Sequence, residues 1–150
     1  MNRREFNKTL MLLTGVSAGA TMSTIPLRAL AAWPTDAFRA DNIEGAVTAI
    51  FGTAEAEATD AIQMKGPDIA ENGAVVPISV TSSIDGTENI VLLVAENPSP
   101  MVATFDGATA ASTRIKMGKS SPLVAYVRAG GKLYTATSKE IKVTIGGCGG

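Results

Sequence analysis

Between Asp60 and Ile145 the chain is cut at short intervals by turn-forming clusters: Gly66-Pro67-Asp68, Asp85-Gly86, Asn97-Pro98-Ser99-Pro100, Asp106-Gly107 and Gly130-Gly131. The runs between them are rich in β-branched residues and read as strands. The candidates are Ala61 to Lys65, Ala74 to Thr81, Asn89 to Ala95, Met101 to Phe105, Ser112 to Met117, Leu123 to Arg128 and Lys132 to Ile145. Gly130-Gly131 stands where a tight hairpin needs positive φ. Ser138-Lys139 marks a bulge or break in the long last strand. Several short strands with frequent turns predict an all-β fold, an antiparallel sandwich of immunoglobulin-like type.

Alternation fixes some faces. Val76, Ile78 and Val80 alternate with Val75, Pro77 and Ser79, and Ile141, Val143 and Ile145 alternate with Lys142 and Thr144. Ile90 to Val94 is instead apolar on both faces, so that strand is either central or covered by a second chain. Upstream, Ile43, Ala46, Val47 and Ile50 share one helical face. Asp41 or Asn42 can cap that helix and Gly52 can end it. Thr53 to Thr59 is ambiguous between a helix extension and a polar connection. The expected organisation is a leader over 1–31, a helical segment over 32–59, the sandwich over 60–145 and a tail over 146–150.

The leader has a basic start, with Arg3, Arg4 and Lys8, then an uncharged run from Thr9 to Leu27 and the small-residue site Ala29-Leu30-Ala31. This is the pattern of a cleaved export signal, with the mature chain beginning near Ala32. Arg3, Arg4, Phe6 and Lys8 match a twin-arginine signal, while Asn2 and Asn7 depart from it. The alternative is an uncleaved membrane anchor, against which Gly15, Gly19, Pro26 and the Ala-Leu-Ala site argue. Cleavage leaves 9 of 13 basic and 13 of 14 acidic residues, a net charge of −4. With no basic run, nucleic acid is not an expected partner. Histidine is absent and there is one cysteine. The commonest general base and metal ligand are therefore missing, as is any thiolate zinc cluster.

That cysteine lies in the final pentapeptide, Gly146-Gly147-Cys148-Gly149-Gly150. Glycine has no side chain to bury and loses the most entropy on ordering, so an exposed, mobile arm is expected. A thiolate can hold sulfur as a persulfide or mixed disulfide. A glycine backbone is thin enough to enter a deep enzyme channel, and tethering keeps a reactive intermediate from diffusing away. With no base or oxyanion hole beside it, the thiol is suited to carrying rather than catalysing. An intermolecular disulfide is the plainer reading of an odd cysteine. The glycines on each side and the chain end favour a carrier.

The tail and its lead-in, Lys139-Glu140-Ile141-Lys142-Val143-Thr144-Ile145, closely resemble those of the SoxY family, the carrier subunits of the bacterial thiosulfate-oxidising Sox system. Pro67-Asp68-Ile69-Ala70-Glu71-Asn72-Gly73 with Val76-Pro77-Ile78 resembles that family's early strand pair. Glu96-Asn97-Pro98-Ser99-Pro100, Val102 to Phe105 and Ser112 to Ile115 resemble its middle. The resemblance implies an immunoglobulin-like sandwich, a non-enzymatic carrier role, export to the periplasm and a heterodimer with a SoxZ-like subunit. It further implies a haem-containing enzyme that conjugates thiosulfate to Cys148, a dimanganese hydrolase that releases sulfate, and a molybdenum dehydrogenase that oxidises the remaining sulfane sulfur. Cys148 is then the attachment point and Gly146, Gly147, Gly149 and Gly150 the arm, with no cofactor or metal on this chain. Asp85-Gly86-Thr87 suggests a shorter loop than usual. Two other readings stand beside it: a ubiquitin-like diglycine sulfur carrier, and a purely structural periplasmic sandwich.

Overall fold

The computed structural model describes residues 33–145. Among the described residues two helices come first, α1 over Thr35–Arg39 and α2 over Ile43–Phe51. Trp33 stacks on Phe38 with ring centroids 4.8 Å apart. Asn42 caps α2, its Oδ1 accepting from the Gly45 N–H at 2.7 Å. Gly52, at φ +79°, ends the helix in the left-handed conformation that glycine adopts at no steric cost. Ala46 and Val47 are fully buried, and Ile43 and Ile50 pack beside them, as the spacing predicts.

Nine strands follow: β1 Glu57–Ala58, β2 Ile62–Lys65, β3 Ile69–Asn72, β4 Val76–Ser82, β5 Thr87–Val94, β6 Met101–Asp106, β7 Ala110–Ile115, β8 Ser121–Ala129 and β9 Lys132–Ile145. They form two sheets among the described residues. One runs β1-β9-β8-β5-β6 with β3 also on β9; the other runs β2-β4-β7. Between the sheets lies the main core. Ile62, Val76, Ile78 and Val80 from the smaller sheet meet Ile90, Leu92, Val94, Leu123, Ala125 and Val127 from the larger.

Two expectations need correction. The pairing is not wholly antiparallel: β1 and β3 both run parallel to β9. Both are short, exposed at most positions and bonded to a strand far downstream, so no local pattern marks them. Within Thr53 to Thr59 the chain leaves the helix at Gly52 and contributes β1, so neither offered alternative describes it fully.

The doubly apolar run is a central strand. β5 lies between β8 and β6. Ile90, Leu92 and Val94 face the smaller sheet, while Val91 and Leu93 pack under Ala46, Val47 and Phe51. Its second face is thus covered by this chain's own helix, which removes the reason to expect a partner chain there. Arg128 fastens that cover. Its guanidinium lies 4.8 Å from the Phe51 ring centroid and donates from Nη2 to the Phe51 carbonyl at 2.9 Å, so a cation meets the negative end of the helix.

Candidate functional site

β9 is the element that leads to the tail. It starts at a two-residue hairpin in which Gly130 and Gly131 both have positive φ, 56° and 77°, the conformation such a turn requires. Along β8 it pairs from Ala129↔Lys132 to Ser121↔Ile141. The register slips where Ser138 and Lys139 oppose Leu123 alone, which is a bulge. Ser138 Oγ repairs the ladder there, accepting from the Leu123 N–H at 2.9 Å.

Past Ile141 the strand outruns β8. Its support changes to β3, through the register Ile69↔Lys142, Ala70↔Val143 and Asn72↔Ile145. The Lys142 N–H donates to the Asp68 carbonyl at 3.0 Å, and the Gly73 N–H donates to the Ile145 carbonyl at 2.8 Å. On the other edge the Val143 N–H donates to Ser120 Oγ at 2.9 Å. Two loops therefore grip the strand end, and both are stiffened. Asn72 Oδ1 accepts from the Ala74 N–H at 2.8 Å. Gly73 takes the Met117 N–H on its carbonyl at 2.7 Å. Asn97 braces the second loop, donating to the Lys116 carbonyl and accepting from the Gly118 N–H.

Beneath this end, Gly66 turns the chain from β2 toward β3. A Cβ there would lie 2.7 Å from Ile78 Cδ1 and 2.9 Å from Ile141 Cδ1. Both isoleucines are buried, so glycine lets the turn pass close to the core.

Cys148 and the glycines Gly146, Gly147, Gly149 and Gly150 lie outside the described residues, as do Arg3, Arg4 and the leader. What is described is the root of the tail: Ile145, exposed to 67%, on a strand held by backbone bonds on one side and the Ser120 hydroxyl on the other. The sequence places no cation near Cys148. The fold brings the exposed Lys116 and Lys119 onto the loop that touches β9 through Ser120. Among the described residues no group of three His, Cys, Asp or Glu side chains comes together, and no helix is long and apolar enough to cross a membrane.

Fold and site together define a small β-sandwich domain whose last strand outruns β8 on a reinforced base. A family model described as sulfur oxidation protein SoxY matches residues 47–148, so the match runs through the sandwich and ends on Cys148. A solved structure of the sulfur carrier protein SoxY from Chlorobium limicola f thiosulfatophilum is 48% identical, with a TM-score of 0.60, over 67% of this chain and 94% of that one. Comparison with curated proteins gives no match. This chain belongs to the SoxY family of sulfur-oxidation proteins.

Proposed function

We propose that this chain is a covalent carrier of sulfur intermediates in periplasmic thiosulfate oxidation, holding them on Cys148 at the end of a glycine arm. The observation that carries the reading is the reinforced root at Ile145, continuous with a family match that ends on Cys148. A carrier needs a fixed origin for its arm, because the reach and the effective concentration at each partner are measured from that point. The two-sheet fold with its helical cover is read as immunoglobulin-like.

In the proposed cycle the Cys148 thiolate bonds to the sulfane sulfur of thiosulfate, and the two electrons released pass to a haem-containing conjugating enzyme. Water then attacks the terminal sulfonate sulfur in a dimanganese hydrolase. Sulfate and two protons leave, and a persulfide stays on Cys148. A molybdenum dehydrogenase oxidises that sulfane sulfur next. The chain itself supplies the thiolate and its placement, and a SoxZ-like subunit completes the carrier as a heterodimer. The diglycine alternative calls for a ubiquitin-like fold around one sheet, whereas two stacked sheets are present. The docking sandwich loses its motive with the covering of Val91 and Leu93.

Intact mass of the protein from its host grown on thiosulfate should show sulfur, sulfite or thiosulfate adducts on the wild type and none on Cys148→Ser. A Cys148→Ser strain that still oxidised thiosulfate through this protein would refute the proposal. Export is tested separately. Replacing Arg3 and Arg4 by Lys should hold precursor in the cytoplasm, and unchanged periplasmic protein would remove the twin-arginine route.

A further inference from the structure

The outer face of the β2-β4-β7 sheet carries a cationic groove apart from the arm. Lys65 pairs with Ser79, Ser79 with Ser112, and Pro77 with Arg114. Val76, Ile78 and Val80 point into the core, so by strand alternation Pro77, Ser79 and their cross-strand neighbours point out. Adjacent strands lie about 4.8 Å apart. The Lys65 and Ser112 backbones are then roughly 10 Å apart with Ser79 midway, and Arg114 stands two residues further along β7. An open groove of about 500 Å³ lies over this row, bounded at one end by Gly66 and Pro67.

The chemistry of the lining is one-sided. Lys65 and Arg114 are its charged residues, Ser79 and Ser112 contribute hydroxyls, and no carboxylate lines it. Asp68 and Glu140 belong to the neighbouring cleft, which shares Lys65. A planar guanidinium fork, an ammonium and serine donors on a shallow floor fit a tetrahedral oxyanion, which offers several acceptor oxygens. The segments flanking the groove are those that hold the tail root. Pro67 leads into Asp68, whose carbonyl accepts from Lys142, and Pro77 follows the turn at Gly73, which bonds to Ile145. From Ile145 to Cys148 the chain spans roughly 10 Å when extended, before its side chain and cargo are added.

We propose that this groove binds a sulfur oxyanion, either free thiosulfate or the terminal sulfonate of a thiosulfonate carried on Cys148. The choice of sulfur over other tetrahedral anions rests on the carrier reading above.

Two probes separate the sources. Sodium thiosulfate is titrated into the Cys148→Ser chain, with amide resonances of Ser79 and Ser112 and the Arg114 Nε–H followed by NMR. In parallel, the wild type is treated with tetrathionate and desalted. The Cys148 thiolate attacks an inner sulfur, so that Sγ bonds to it and the central S–S bond breaks; the product is the S-thiosulfonate Cys148 Sγ–S–SO3⁻, thiosulfate leaves, and loading is read by intact mass. Saturable shifts at these three residues in either arm support the groove and identify its source. The Lys65→Gln, Arg114→Gln double variant should weaken them at least tenfold while melting like the wild type. Ser112→Ala gives a milder second variant should the double one melt early. Loaded protein with silent groove residues, together with no response to thiosulfate, overturns the groove and leaves the carrier reading intact. Shifts that persist in the double variant also overturn it. Failure of Cys148 to load counts against the carrier reading, and the thiosulfate arm then decides the groove alone.

Discussion

The two halves of β9 do different work with the same backbone. From Lys132 to Ile141 the strand is embedded, bonded along β8 and touched by β1 at Tyr134 and Thr135. From Lys142 to Ile145 it has β3 on one side and the Ser120 hydroxyl on the other. In the embedded half Leu133 and Ile141 are buried, while Ile145 at the far end is exposed. The first half shares in the cooperative core. The second takes its position from a few hydrogen bonds and contributes little buried surface. Stability and the proposed carrier role are thereby separated along one strand.

The largest effect should come from the residue with the least structural consequence. Cys148→Ser should abolish sulfur loading completely and shift unfolding free energy by less than about 0.5 kcal/mol, as substitutions away from packed features do. A large stability loss in urea titration would break the separation. The reverse case is Leu92→Ala. Leu92 is 1% exposed between the sheets, so its truncation should cost about 2–5 kcal/mol. The folded fraction should still load Cys148 at the wild-type rate, and a loading defect in folded protein would show that the core reaches the arm.

Smaller changes sharpen the contrast within β9. Ser138→Ala leaves the part-buried Leu123 N–H without its acceptor and should cost about 1–3 kcal/mol by denaturant unfolding. Ser120→Ala removes the equivalent partner of Val143, but in the terminal half. It should cost no more than about 1 kcal/mol, with hydrogen exchange faster at the Val143 amide than elsewhere in β9. Equal costs for the two serines would mean that the halves are not energetically distinct.

Features that depend on neighbours in sequence were legible before the fold. Gly130-Gly131 announces its hairpin because only positive φ closes a two-residue turn with the right twist. Asn42 and Gly52 bracket α2 for similarly local reasons. Ser138-Lys139 interrupts β9 as expected. The short strands β1 and β3 were not legible as partners of β9. Their bonds lie on a distant strand, and four residues such as Ile69-Ala70-Glu71-Asn72 have no periodicity long enough to read. The run Ile90 to Val94 declared that both its faces would be covered without saying by what. The answer, α2 from upstream, depends on how the chain packs back on itself.

The sequence by itself determined the β-rich class, the turns, the helix limits and the presence of one thiol among glycines at the tail, because each is set by residue type and local spacing. Only the tertiary structure decided that β9 outruns β8 and that β3 and Ser120 support its end. It also decided that Lys116 and Lys119 stand on the loop beside the tail root, and that Lys65 and Arg114 border one groove. These are relations between residues far apart in the chain. Hydrogen bonds and charge acquire a location only when burial of the apolar faces has fixed which strands lie side by side.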